Sequence, residues 1–164
     1  MGARYHRGMH VRLRPATDAD ADAAFEMMRD PEAVRMAAFT AADPDDRSAF
    51  DARWTRHLAD PGIRMRAVEA DGAFAGTVAA FTLEGDREVT YWIRRTLWGR
   101  GIATAALMLL VAAEPTRPLH ARVAEANLGS RRVLERAGFV PTGSETSYAA
   151  GAGKPVVELL LELR

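Results

Sequence analysis

Apolar and polar residues alternate from Met9 to Arg14, the period of a strand with one face buried, and Pro15 ends the run. Thr17-Asp18 then offers a cap for a helix over Ala19 to Met28, in which Phe25 and Met28 recur at helical spacing. Asp30-Pro31 starts a second, short helix. Asp43-Pro44-Asp45 starts a third, from about Asp46 to Ala59, with Phe50, Trp54 and Leu58 on one face and Asp60-Pro61-Gly62 as its stop. Strand-like segments follow at Arg64 to Ala70 and Phe74 to Leu83, joined by Asp71-Gly72, a two-residue hairpin signal. Glu84-Gly85-Asp86 turns the chain into a third strand of this meander, Glu88 to Arg94.

The stretch from Tyr91 to Thr104 is a strand that runs through a glycine-bearing turn directly into a helix, Ala103 to about Ala113, ended by Glu114-Pro115. Leu119 to Ala124 reads as the next strand. Strand, helix and strand in that order form a βαβ crossover, so the strand at Leu119 is expected parallel to the one at Glu88. Asn127 to Ala137 reads as a helix with Gly138 just past its end and Phe139 packing back on it. Two strands, Phe139 to Ser147 and Pro155 to Leu163, flank the Ala150 to Gly153 loop and close the chain. The expected architecture is α+β: a mixed, mostly antiparallel seven-stranded sheet with about four helices and a central βαβ crossover. Residues 1–8 read as a flexible start and 9–164 as one domain.

Composition narrows the picture mainly by exclusion. A chain of 164 residues, 48% of them apolar, can bury a core as one domain. Lys+Arg and Asp+Glu are both 22, so net charge points to neither nucleic acid nor an anionic membrane as partner. Cysteine is absent, which excludes disulfides, thiolate-metal sites and a cysteine nucleophile. The longest apolar run, Ile102 to Ala113, is too short to span a bilayer, and the first ten residues do not resemble a secretory signal, so a cytoplasmic protein is expected. His6, His10, His57 and His120 show no metal-ligand spacing, and no metal is expected.

Chemistry concentrates at the glycine turn. Gly99 and Gly101 flank Arg100 and allow close backbone approach, and the first amides of the helix lack intrahelical acceptors. A phosphate fits such a junction.

Trp98-Gly99-Arg100-Gly101-Ile102-Ala103 resembles the Gln/Arg-x-x-Gly-x-Gly/Ala signature of the GCN5-related N-acetyltransferase (GNAT) superfamily, with Trp98 in place of the Gln or Arg. Asn127-Leu128-Gly129-Ser130, followed by Leu134-Glu135-Arg136-Ala137-Gly138-Phe139, resembles a second motif of that superfamily's ribosomal-protein N-acetyltransferase-like branch, and the Tyr91-Trp92-Ile93 strand is a third point of likeness. Order and spacing agree from about Met9 to Leu163.

The resemblance implies the GNAT fold and transfer of an acetyl group from acetyl-CoA by direct attack of a primary amine. It implies that Gly99, Arg100, Gly101, Ile102, Ala103 and Thr104, with Trp98 before them, hold the pyrophosphate, that Arg94 screens charge, and that an amide near Ile93 polarises the thioester carbonyl. Asn127 would bond the pantetheine arm and Ser130 would stand near the leaving sulfur. A plain helix cap and an ordinary first-turn serine are the competing readings of those two, as packing is for Tyr91 and Trp92 and solvated charge for the arginines. Many superfamily members carry a tyrosine acid in this helix; here the position is Leu134. Glu88 is the preferred general base, ahead of Glu84, Glu69 and His57, with an exposed turn carboxylate as the competing reading. The acceptor is either a protein N-terminus, which predicts an open groove between the early helices and the final hairpin, or a small amine, which predicts an enclosed acidic pocket. A homodimer through a shared β-edge is left open. A non-catalytic acyl-CoA-binding sensor or partner module is the alternative function. A phosphate-loop nucleotidase fails because no Gly-Lys-Ser/Thr follows the glycines.

Overall fold

The computed structural model describes residues 2–5 and 9–164. Its sheet has the order β1-β2-β3-β4-β5-β6-β8-β7. The strands are β1 (Gly2–Tyr5), β2 (Met9–Pro15), β3 (Arg64–Ala70), β4 (Ala73–Leu83), β5 (Asp86–Ile93), β6 (Leu119–Ala124), β7 (Val140–Ala149) and β8 (Lys154–Leu163). The seven expected strands are all present. Gly2–Tyr5, read as part of a flexible start, adds an eighth by pairing antiparallel with β2; the remainder of that start, residues 1 and 6–8, lies outside the described residues.

Among the described residues five α-helices accompany the sheet: α1 (Ala21–Met28), α2 (Pro31–Ala37), α3 (Arg47–Ala59), α4 (Ile102–Ala113) and α5 (Leu128–Arg136). The first starts later than expected because Asp18–Asp20 forms a 3-10 turn, in which the Asp20 carboxylate accepts from the Thr17 amide at 2.9 Å. Asp30 and Asp46 cap α2 and α3 by accepting backbone N–H bonds, as short acidic side chains do at helix starts. The Asp71-Gly72 turn has both residues at positive φ (50° and 84°), the geometry that matches the twist of a hairpin.

Side-chain alternation divides the two faces of the sheet. Val78 of β4, Val89 and Ile93 of β5, and Leu119, Ala121 and Val123 of β6 pack with Leu107 and Leu110 of α4 and Leu134 of α5. On the opposite face Phe25, Phe50 and Trp54 of α1 and α3 form a separate cluster over Met65 and Phe74. Beside it Glu69 accepts from Arg12 (2.6 Å) and Arg14 (2.5 Å), and Arg14 also bonds Asp20 at 2.7 Å. These arginines hold the Glu69 and Asp20 carboxyls below their ordinary range.

The seam between β5 and β6 is the break in this regularity. β5 ladders to β4 from Gly76↔Ile93 through Leu83↔Asp86, yet it pairs with β6, in parallel, only at Arg87↔Leu119 and Glu88↔His120. A local irregularity borders the break. Val68 faces Gly76 while Glu69 faces Phe74, so Ala75 is an extra residue in β4. Such a bulge bends its strand and increases the local twist. Gly76 is required there: a Cβ on it would stand 2.0 Å from the Trp92 carbonyl oxygen. Beyond Glu88, β5 therefore leaves β6 with its β6-facing edge unladdered up to Ile93.

Candidate active site

A cleft of about 640 Å³ opens where the two strands part. Its walls are the end of β5 (Tyr91, Trp92, Ile93), the turn and the start of α4 (Leu97 to Gly99, then Gly101 to Thr104), α5 with its approach (Ala126 to Ser130, then Arg132, Val133 and Arg136), and Ala33, Met36 and Ala37 of α2.

The turn is built for backbone exposure. Gly99 and Gly101 have φ of 75° and 76°, conformations that residues with a Cβ rarely hold. Among the described residues, the Ile102, Ala103 and Thr104 amides find no acceptor, and the first bond into the helix is Ala105 N–H to the Gly101 carbonyl at 3.1 Å. Three free donors and the positive end of the α4 dipole therefore meet at the cleft wall. Ile102 and Thr104 side chains are themselves buried, so these residues offer the cleft mainly their backbone. Trp98 has a role of its own: its indole Nε1 donates to the Ile93 carbonyl at 2.9 Å, tying the turn to the end of β5.

The arginines separate by position. Arg94 turns its guanidinium over the Phe74 ring, 5.4 Å from the centroid, and does not line the cleft; neither does Arg100. Arg95 bonds Asp30 at 2.9 Å and so links the turn to the cap of α2. The cations on the wall are Arg132 and Arg136 of α5, neither of which forms an ion pair among the described residues. Their spacing of four, shared with Leu128, places the three on one helical face, which is the sequence signal that identifies them.

Asn127 caps α5, its Oδ1 accepting from the Ser130 amide at 3.2 Å, and it also lines the cleft. The capping bond uses the carbonyl oxygen and leaves the amide NH₂ as a donor. Ser130 stands on the same wall. Its Oγ is 2.6 Å from the Tyr91 hydroxyl, which also lies 3.0 Å from the Ser130 carbonyl oxygen. Burial pushes the Tyr91 phenol up to about 12. Leu134, one turn further along α5, is buried in the core and contributes nothing to the cleft.

Glu88 sits on β5 at the last paired position and is 4% exposed, which excludes its reading as a solvated turn carboxylate. Its Oε1 is 3.4 Å from Arg122 Nε, and Arg122 also approaches Glu145 (3.4 Å) and Glu158 (3.7 Å). Burial raises the Glu158 carboxyl above its ordinary range despite Arg122. Of the other candidate bases, Glu69 is held charged by two arginines, Glu84 is exposed in a turn at φ 51°, and His57 lies on α3 outside the cleft. The described residues contain no group of three or more His, Asp or Glu placed to hold a metal.

The far side of the site is latched. The Gly151 amide donates to the Ala38 carbonyl at 2.7 Å, and a Cβ on Gly151 would stand 2.5 Å from the Val34 carbonyl oxygen. The turn between β7 and β8 is thereby fastened to the end of α2.

Comparison with known proteins agrees with this arrangement. A family model described as an acetyltransferase (GNAT) domain matches residues 10–140. No curated protein matches the chain. Among solved structures, RimJ from Mycobacterium smegmatis in complex with CoA-disulfide is 24% identical, with a TM-score of 0.81 over 99% of this chain and 85% of that one. Spermidine N-acetyltransferase from Vibrio cholerae in complex with CoA and spermine is 17% identical, with a TM-score of 0.79 over 93% and 94%. A ribosomal-protein-alanine N-acetyltransferase from Brucella melitensis is 20% identical, with a TM-score of 0.77 over 93% and 98%.

Proposed function

Because this chain belongs to the GNAT acetyltransferase family, we propose that its cleft holds acetyl-CoA and passes the acetyl group directly to a primary amine. One observation carries the reading: free helix-start amides, the unladdered edge of β5 and the Asn127–Ser130 turn all line a single cleft. In this reading the pyrophosphate lies on the amides of Ile102 to Thr104, with Arg132 and Arg136 alongside. The pantetheine arm runs along β5 and Asn127. A β5 amide near Ile93 donates to the thioester oxygen as negative charge develops on it.

The acceptor nitrogen attacks the acetyl carbon, its proton leaves to a base, and the C–S bond breaks with its electron pair going to sulfur. An amine of pKa ~8 to ~10 is largely protonated at neutral pH, so a base near the attack path is needed: a carboxylate, a histidine or an ordered water. In this reading Glu88 takes the proton: it lies on the strand that carries the acetyl group, but it is buried beside Arg122 and does not itself line the cleft, so the proton reaches it through an intervening water. The latch between α2 and the β7–β8 turn bridges the early helices and the final hairpin and favours a compact amine over an extended polypeptide, although no Asp or Glu among the described residues lines the cleft and the acidic pocket expected for a small cationic amine is not found there.

The test is CoA release from acetyl-CoA across a panel of small amines and N-terminal peptides. Turnover with a small amine, falling about 100-fold in Glu88→Gln with the acid-side limb of the rate profile altered, is the expected result. An unchanged pH profile in Glu88→Gln removes the base assignment. Binding of acetyl-CoA with no release for any amine points instead to a non-catalytic acyl-CoA module.

A further inference from the structure

The superfamily's tyrosine position on α5 is occupied here by Leu134, packed in the core, so no phenol reaches the cleft from that helix. A different phenol does reach it. Tyr91 comes from β5, lines the cleft, and meets Ser130 of α5 across the opening between strand and helix. Tyr91 shares its strand face with Ile93, two residues on, so it stands roughly 7 Å back along the β5 edge.

The two hydroxyls admit two hydrogen-bond arrangements. The Ser130 carbonyl can only accept. If the Tyr91 proton points to it, the phenol oxygen is left to accept from Ser130 Oγ–H and the pair is closed on itself. If the Tyr91 proton points to Oγ at 2.6 Å, Ser130 keeps its own proton free to donate into the cleft. A negative charge growing in the cleft favours the second arrangement, and each bond in such a chain polarises the next.

We propose that Tyr91 positions Ser130 as a hydrogen-bond donor to the sulfur leaving acetyl-CoA, so that a strand phenol acting through the Ser130 hydroxyl stands in for a phenol at the Leu134 position. The inference rests on the reading that this cleft binds acetyl-CoA. The chemistry balances without a proton relay: the C–S electron pair goes to sulfur, the thiolate is stabilised by Ser130 Oγ–H, and it takes its proton from solvent on release. A phenol pushed up to about 12 keeps its own proton beside a thiolate whose conjugate acid is near an ordinary thiol value of ~8.5. Ser130 is then the group that touches the reacting sulfur, and Tyr91 is a positioning residue.

The experiment titrates the thiol of enzyme-bound CoA by its thiolate absorbance, below the pH at which Tyr91 ionises, in the wild-type chain, Tyr91→Phe, Ser130→Ala and the double variant. No acceptor is needed. The expected result is a bound thiol about one pH unit more acidic than free CoA, close to a tenfold gain in thiolate at a given pH. Tyr91→Phe and Ser130→Ala each return most of that shift while CoA affinity stays within about threefold, and the double variant adds little to either single one. A bound thiol that titrates like free CoA in the wild type, or the wild-type value retained in Tyr91→Phe, overturns the proposal. So does full additivity of the two changes. Should Tyr91→Phe fail to fold, Tyr91→Leu, which also removes the phenol, takes its place, and Ser130→Ala tests the donor separately, since it removes only a hydroxyl and keeps the amide bonded to Asn127. Failure of the wild type to bind CoA strikes the functional reading itself, and is distinguishable from CoA bound with an unshifted thiol.

Discussion

The two seams of β5 show how one strand can be both scaffold and site. Toward β4 it is paired along its whole length, from Gly76↔Ile93 to Leu83↔Asp86. Toward β6 it is paired at only Arg87 and Glu88. A fully laddered seam satisfies its backbone donors and acceptors internally and has nothing to offer a ligand. The open seam leaves those groups available, and the cleft, the free α4 amides and the Tyr91–Ser130 pair all collect beside it. The closed seam fixes where the open one lies: the bulge at Ala75 and the close approach of Gly76 to Trp92 set the course of the last three residues of β5.

Breaking the closed seam is expected to have the largest effect. Gly76→Val places a side chain where the Trp92 carbonyl oxygen already stands, so β4 or β5 must shift. A loss of about 3 kcal/mol in folding stability is expected by chemical denaturation, in line with overpacking of a tight site. Stability within 0.5 kcal/mol of wild type, roughly what a surface change gives, would show that the seam tolerates the volume and that its bulge does not hold the end of β5.

The open seam can be sharpened without touching the fold. Replacing both Arg132 and Arg136 by alanine leaves the α4 amides intact and removes the two cations on the wall. CoA affinity is expected to fall about tenfold at low salt and less at high salt, because exposed charges are screened. The same replacement at Arg94, half-buried over Phe74, and the exposed Arg100, neither of which lines the cleft, is expected to change CoA affinity less than about threefold. Calorimetric titration of the two double variants side by side checks the contrast, and a reversed order would return the phosphate to the Arg94–Arg100 side.

Much of this molecule was legible in its sequence because the deciding signals are local. Asp71-Gly72 specified a hairpin, Asp30-Pro31 and Asp43-Pro44-Asp45 specified helix starts, the second of them capped by Asp46, and the glycines around Arg100 specified a turn open to close backbone approach, where both glycines take positive φ. Asn127 and Ser130 could be placed from a four-residue pattern. Features missed by the sequence reading depend on partners far apart in the chain. Tyr91 meets Ser130 across 39 positions, and Glu88 meets Arg122 across 34. Both contacts follow from how far β5 and β6 diverge, which no single segment encodes. Arg94 was misplaced for a related reason. Beyond Ile93 the strand has ended and alternation no longer fixes a side chain's direction, so Arg94 settles over Phe74. The strand formed by Gly2–Tyr5 is too short for a period-two pattern to reveal, and its pairing comes from β2 beside it.

The central claim is that the free amides at the start of α4, beside the open seam, are where CoA binds. Amide hydrogen exchange measured with and without saturating CoA tests it most directly, because Ile102, Ala103 and Thr104 have no acceptor of their own to slow them. The account predicts at least tenfold slower exchange at these three positions on binding, while α3, on the opposite face of the sheet, and β3, two strands away from β5, stay unchanged. CoA bound with the three amides exchanging as fast as before would contradict it.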